Sequence, residues 1–460
     1  MELSSRRVSW KNVVFSAAAL VALVLLIVES PLGMDGPSKA AGVVLVIAAT
    51  LWITEVVPLF VTSLVVLFCC LVWVRPVLEQ SGNPVEATKF LAPFFSDIIL
   101  LFLGGFVLSS ALHKYQLDHR IALAIITRTG RSIPRLLFGV MLLTACLSMW
   151  LSNTATAATM LALCLPFIRS LPPNDRYRQA LLLGIAFAAN LGGLGTPIGS
   201  PPNAIALQYM RQAGLAPQFW MWMLIGVPGV VVMLTLTWAL LLYLFRGQQR
   251  EVEVAADQPV NGLNKRSWIV IGGTLVTIAG WMTTESHGYS AGTVALVPLV
   301  LFFGLKILSV EDLRALSWDV LLLMGGGGCL GVAIDLSGLD DWIIGNIPLH
   351  DSSVFTVMVA FGLLAIVMSS VMSNTATANL LLPIVMGLAI SSVTPVMIGV
   401  AFACSLAMPL PISTPPNAMA FGTGELKTID MLKPGLVIAV VGAMLAFSTG
   451  YWWWDIVGLF

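Results

Sequence analysis

The hexapeptide Ser152-Asn153-Thr154-Ala155-Thr156-Ala157, with Pro166 behind it, is written twice in this chain: it returns 221 residues later as Ser373-Asn374-Thr375-Ala376-Thr377-Ala378, with Pro383 behind it. Two further blocks repeat in the same order. Asp97 with Gly104-Gly105 returns as Asp319 with Gly326-Gly327 after 222 residues, and Ser200-Pro201-Pro202-Asn203-Ala204 returns as Thr414-Pro415-Pro416-Asn417-Ala418 after 214. Matched blocks at a nearly constant offset mean that one long unit has been duplicated. Whatever fold the first copy takes, the second must take as well.

The unit belongs in a bilayer. The chain is 58% hydrophobic and 10% charged over 460 residues, more apolar side chain than a soluble surface could hide. Apolar stretches bounded by Pro, Gly or charge fall at 13–29, 40–57, 58–75, 97–113, 180–212, 219–245, 268–284, 291–308, 319–337, 395–420 and 435–456, which reads as eleven crossings. Two more, 134–170 and 353–391, are nearly twice as long as one crossing needs, since about 20 residues at a rise of about 1.5 Å span the hydrocarbon. The first span, preceded by Arg6, Arg7 and Lys11, ends in Glu29-Ser30-Pro31 without a small-x-small cleavage site, so it is read as retained rather than as a signal peptide.

Those leading basic residues place the amino terminus in the cytoplasm, and the remaining Lys and Arg test the assignment. Inside segments then hold Arg120, Arg128, Arg131, Arg135, Arg169, Arg176, Arg178, Arg246, Arg250, Lys265, Arg266, Arg314, Lys427 and Lys433, while the outside segment 338–352 holds Asp340, Asp341 and Asp351 with no Lys or Arg. The carboxyl end then lies outside, where Tyr451-Trp452-Trp453-Trp454 reads as an interfacial belt. Stretch 134–170 has basic residues at both ends and must enter and return from the cytoplasm; 353–391 has none at either end and returns from outside. The expected fold is therefore an all-α polytopic membrane protein of about eleven transmembrane helices plus two re-entrant hairpins. A unit of five crossings and a hairpin sets its second copy upside down, and inverted repeats with a site at the midplane are a hallmark of secondary transporters.

The Ser-Asn-Thr blocks fall where each hairpin must turn. Irregular backbone at that depth is tolerated only where it lines a buried or wet cavity. Ser, Asn and Thr are also helix N-caps, so half-helices starting near Ala155 and Ala376 would aim free N–H groups into that cavity. Two such termini facing each other suit a small anion with two charged ends, and neither tip carries Lys or Arg. The Pro-Pro pairs at 201–202 and 415–416 must interrupt the crossings 180–212 and 395–420. Freed carbonyls there, with hydroxyl and amide oxygens, are hard ligands suited to sodium. Gly104-Gly105 and Gly325 to Gly328 read as close-packing positions, because no Lys-Ser/Thr follows to make a phosphate cradle. Glu55 and Glu285 sit at span ends and read as interfacial, with a buried coupling role as the alternative.

Other classes find little support. The net charge of +0 carries no basic stripe for nucleic acid, and the six cysteines lie singly or as one adjacent pair in apolar stretches, with no C-x-x-C. Neither H-x-x-x-H nor H-E-x-x-H occurs among the four histidines. No nucleophile–base pair is found at midplane depth, so the chain reads as no enzyme and needs no cofactor beyond coupling ions. Two occluding hairpins argue against a continuous channel pore.

Together the paired Ser-Asn-Thr tips, the paired S/T-P-P-N-A blocks and Trp52-Ile53-Thr54-Glu55-Val56-Val57-Pro58 resemble the divalent anion:sodium symporter family, from about residue 40 to the carboxyl end. The resemblance implies a homodimer in the plasma (inner) membrane whose scaffold domain stays fixed while a transport domain moves as an elevator. It implies an N-terminal segment with the first span at 1–39 and a first repeat at 40–245, divided into scaffold 40–133, hairpin and broken helix 134–212 and span 219–245. A cytoplasmic loop, 246–267, leads to a second repeat at 268–460, divided into scaffold 268–352, hairpin and broken helix 353–420 and last span 435–456. By motif, substrate would contact Ser152, Asn153, Thr154, Ser200, Pro201, Ser373, Asn374, Thr375, Thr414 and Pro415. One sodium ion would use Ser148, Ser152, Asn153 and Gly199, and a second Ser369, Ser373, Asn374, Ser413 and Pro415. The implied cargo is a di- or tricarboxylate of the succinate, malate, fumarate and citrate class. Exchangers that work without sodium, and sulfate carriers, share the architecture. Some exchangers place a basic side chain at the cation position; Ser148 and Ser369 are neutral oxygens, which favours the sodium-coupled branch.

Overall fold

Helix starts along this chain are written by proline and by short polar caps. In the computed structural model, which describes residues 33–129, 132–249, 251, 262–346, 352–388 and 392–460, Asp35 caps the first helix described and Pro37 stands in its opening turn. The expected first span at 13–29 lies outside these residues. In order, the chain forms α1 (Gly36–Thr54), α2 (Leu59–Gln80), α3 (Asp97–Lys114), α4 (Leu117–Arg128), α5 (Ile133–Ser148), α6 (Asn153–Ser170), α7 (Tyr177–Gly192), α8 (Pro201–Gln212) and α9 (Phe219–Leu244). It continues through α10 (Lys265–Met282), α11 (Ala291–Gly304), α12 (Trp318–Ser337), α13 (Leu339–Asn346), α14 (Val354–Val371), α15 (Asn374–Met386), α16 (Thr394–Leu406), α17 (Pro415–Gly422) and α18 (Thr428–Ile456). Seven helices among the described residues are long and apolar enough to cross a membrane, and the chain is a membrane-embedded, all-helical protein.

The long apolar stretches divide as their length demands. Stretch 134–170 becomes α5 and α6, which pack on each other across a turn at 149–152. Likewise 353–391 becomes α14 and α15. The half-helices α6 and α15 begin at Asn153 and Asn374, two residues before the expected starts near Ala155 and Ala376. Ser152 and Ser373 take the extended cap conformation, so the Asn already lies inside the helix. Two short helices, α4 and α13, stand where only loops were read, each shorter than a crossing and so invisible to a count of apolar runs.

Packing ties one half of the chain to the other. Helix α3 packs on α11, and α12 packs on α2. Glycine permits both approaches: a Cβ on Gly104 would lie 2.6 Å from Ala295 Cβ, and one on Gly326 would lie 2.1 Å from Ser63 Cβ. The Ser63 hydroxyl donates to the Leu323 carbonyl at 3.3 Å in the same contact. The glycines are therefore close-packing positions, as read from the sequence. Where α3 begins and α8 ends, Arg211 pairs with Asp97, which also accepts from the Ser290 hydroxyl.

Gly326→Ala should lower the melting temperature of the solubilised protein, at an overpacking cost of about 1–3 kcal/mol. Gly272→Ala, whose Cβ would meet nothing within 4 Å, should not. Equal shifts in a thermal-unfolding assay would refute the close-packing argument.

Candidate functional site

Proline cannot donate a backbone hydrogen bond, so each Pro-Pro pair starts a helix rather than continuing one. Pro201 and Pro415 stand at the first positions of α8 and α17, and the breaks lie just before them, at 193–200 and 407–414. Each break leaves carbonyls outside a helical ladder, and one asparagine gathers them. Asn203 Nδ2 donates to the carbonyls of Gly193 and Thr196, both at 2.9 Å. Asn417 Nδ2 donates to those of Met408 at 3.0 Å and Leu410 at 3.1 Å. This is the physical role of the Asn in both P-P-N blocks, and both side chains are fully buried.

The hairpin tips meet the breaks at one cavity of about 1210 Å³. Its wall holds Ser152, Asn153, Thr154, Ser200, Pro201, Ser373, Asn374, Thr375, Thr414 and Pro415, together with Gly199 and Ser413. No Lys or Arg is among the lining residues. Ser152 Oγ accepts from the Ala155 N–H at 3.2 Å, whereas the Ser373 side chain makes no such cap bond. Glu55, left-handed at φ 50, and Asp319 bring carboxylates to the wall. Phe102, Phe106 and Ile198 supply apolar surface, and Asn190 a further amide. The motifs did not pick out Asn190, although one Asn in the apolar run Ala188-Ala189-Asn190-Leu191 was a readable signal.

Ser148 and Ser369 are not on the wall but directly behind it, both fully buried. Each serine oxygen lies 2.6 Å from the side chain of the asparagine five residues on, Asn153 or Asn374. Each also donates to a carbonyl of the neighbouring broken helix, Ala189 at 2.7 Å or Cys404 at 3.2 Å. Duplicated sequence has become duplicated geometry.

Around Asn153 the oxygens outnumber the protons. Its amide faces Ala189 O, Gly199 O and Ser148 Oγ, all within 3.2 Å, and the serine proton is already given to Ala189. Only two arrangements are free of oxygen–oxygen repulsion. Either the amide turns its nitrogen inward, where its two protons serve three oxygens at 3.2, 3.0 and 2.6 Å, or its oxygen faces inward with a cation among the ligands. The space exists because Gly193 carries no side chain: a Cβ there would lie 2.8 Å from Asn153 Oδ1 and 2.9 Å from Gly199 O. At the second copy, Ser413 Oγ donates to the Ser370 carbonyl at 3.0 Å and accepts from the Leu410 N–H at 3.2 Å, which fixes the break against the tip.

The family model described as the sodium:sulfate symporter transmembrane region matches residues 9–460. The chain is 33% identical over 442 residues to the sodium-dependent dicarboxylate transporter SdcS of Staphylococcus saprophyticus, covering 88% of this chain and 83% of the relative. It is 31% identical over 493 residues to SdcS of Staphylococcus aureus strain USA300, covering 96% of this chain and 93% of that one. Among solved structures, Neisseria gonorrhoeae MtrF, of a class of antimetabolite efflux pumps, matches with a TM-score of 0.56 at 10% identity over 93% of this chain and 97% of that one, a likeness of fold.

In a background with Cys69 and Cys146 replaced by Ser, Thr154→Cys and Thr375→Cys should react with a small thiol reagent. Ser148→Cys and Ser369→Cys should be protected, because both positions are fully buried. Labelling at all four positions alike would contradict the wall described above.

Proposed function

The chain belongs to the sodium:sulfate symporter family, and on that premise we propose that it carries a di- or tricarboxylate of the succinate, malate, fumarate and citrate class into the cell with sodium. The observation that supports this most is the convergence of two helix N-termini and two broken helices on one cavity without Lys or Arg. An anion there is met by N–H groups and hydroxyls rather than by fixed cations. It gains by arriving with mobile ones. A sodium ion about 4 Å from a carboxylate contributes on the order of 4 kcal/mol at an effective dielectric of 20, roughly a thousandfold in affinity.

The sodium ions are cargo as much as the carboxylate is. One is held by Ser148, Ser152, Asn153 and Gly199, and the oxygens gathered around Asn153 suit a cation when its amide oxygen faces inward. The other is held by Ser369, Ser373, Asn374, Ser413 and Pro415. Substrate is held between them by Ser152, Asn153, Thr154, Ser200, Pro201, Ser373, Asn374, Thr375, Thr414 and Pro415. Asn153 and Asn374 are shared by anion and cation, and this is the coupling: neither ion completes its ligand set alone. The relatives named as sodium-dependent dicarboxylate transporters support the same cargo. A homodimer fixed through its scaffold carries a transport domain of hairpins and broken helices that moves as an elevator. The chain sits in the plasma membrane with its amino terminus in the cytoplasm and its carboxyl end outside. The family description keeps sulfate as a second anion to test.

The deciding experiment is uptake of labelled succinate, citrate and sulfate into proteoliposomes, with and without an inward sodium gradient. Sodium-driven accumulation of a carboxylate is expected; exchange that ignores sodium would replace this reading with an antiporter. Asn153→Ala and Asn374→Ala should each abolish uptake while the protein stays folded. Ser148→Lys puts a fixed cation where a mobile one belongs, so accumulation should be lost while counterflow survives without sodium. Undiminished sodium dependence in Ser148→Lys would move the cation site elsewhere.

A further inference from the structure

Asn190, on α7, is 1% exposed yet lines the cavity. Its Nδ2 lies 3.0 Å from Thr414 Oγ1 and 3.1 Å from Asn417 Oδ1, on the broken helix of the other half of the chain. The protons of this cluster can be assigned one after another. Asn417 faces the carbonyls of Met408 and Leu410, which can only accept, so its amide nitrogen must point at them. Its oxygen is thereby turned to Asn190 and demands a donor. Asn190 must present its NH₂, whose other proton reaches Thr414 Oγ1. That hydroxyl also accepts from the Asn417 N–H at 3.4 Å. Both lone pairs of Thr414 are then used, and the only bonding capacity left to it is its own proton.

We infer that Asn190 is a positioning residue that locks the Thr414 hydroxyl as a hydrogen-bond donor into the cavity, so that this end of the site selects an ionised carboxylate. The inference rests on the carboxylate-transport reading above and adds to it which end discriminates. A donor bonds an ionised carboxylate more strongly than a protonated one, because charge-assisted hydrogen bonds are about twice as strong as neutral ones. The matching contact in the other half leaves the choice open. Ser200 Oγ and Ser405 Oγ lie 3.1 Å apart, and either can donate. One end of the site is thus committed to an anionic oxygen, while the other adapts to a carboxylate or a hydroxyl.

Asn190→Asp tests the proton assignment, because a carboxylate at this position accepts from Thr414 and draws its proton out of the cavity. At neutral pH the KM for succinate should rise about tenfold, the scale of one hydrogen bond to a charged group, with the maximal rate less affected. The pH profile should change sign. In the unmodified protein KM for total succinate rises as pH falls and the dianion is depleted. In the variant the introduced carboxyl takes up a proton as pH falls and loses the charge that draws the Thr414 proton away, so KM falls. The charged side chains on the cavity wall are Glu55 and Asp319, and both are present in the two profiles being compared. Because a carboxylate on the wall also repels a dianion directly, the shift is read against Thr414→Val: in that background Asn190→Asp should raise KM by less, since no Thr414 proton is left to withdraw. Should Asn190→Asp fail to fold, Asn190→Ala, Thr414→Val and their double variant replace it: KM effects that do not add support action through the Thr414 hydroxyl, and additive effects overturn it. An active unmodified protein beside an Asn190→Asp variant of unchanged KM and pH slope overturns this inference alone. An unmodified protein that transports no carboxylate overturns the functional reading and this inference with it.

Discussion

Backbone that leaves a helix inside a bilayer must find its hydrogen bonds within the protein, since hydrocarbon offers none. Here that constraint is met four times around one cavity, at two hairpin tips and two helix breaks. Ser152 caps one tip, and Asn203 and Asn417 each gather two stray carbonyls. The carbonyls of Ala189 and Gly199 are turned toward the Asn153 amide. The polar wall is what remains once the structural hydrogen bonds have been made.

Charge is handled with the same restraint. A fixed arginine in the cavity would hold a dianion strongly, and would hold it whether or not a cation came too. A wall of hydroxyls, amides and helix N-termini offers partial charges only. Among the described residues, the charged side chains on the wall are the carboxylates Glu55 and Asp319. Ion pairs such as Arg211 with Asp97 between α8 and α3, and Arg178 with Glu425 at 2.6 Å beside the start of α7, are formed by residues that do not line the cavity. Order in this site comes instead from Asn–Ser and Ser–carbonyl contacts that recur in both halves.

Much of this arrangement was legible in the sequence because it was written twice. The doubled apolar length of 134–170 and 353–391, with the Lys and Arg found or missing at their ends, marked the stretches that form two helices, and the repeated Ser-Asn-Thr and Pro-Pro-Asn blocks marked where helices stop. Their residues share one wall because each sits at a helix start, where a side chain has left the packed ladder. The helices α4 and α13 were not legible: neither reaches crossing length, and α13 opens with Asp340 and Asp341, which read as loop. Asn190 was missed for another reason. A lone Asn in an apolar run marks it as a candidate, but its partners Thr414 and Asn417 lie 224 and 227 residues away, and the contact that gives it a role is made only by tertiary packing.

The exchange of packing partners between halves has a consequence for synthesis. Gly104 on α3 meets Ala295 on α11, which is 191 residues further along the chain. At about 5–20 residues per second, the ribosome needs roughly 10–40 s to supply that partner. During that interval the glycine face of α3 is in contact with lipid, where neither tight packing nor a hydrophobic drive holds it in place. The first half makes its own contacts at once, as where α5 packs on α7, but the α3 face waits for α11, so two halves that repeat each other in sequence complete their packing together rather than as a tandem pair.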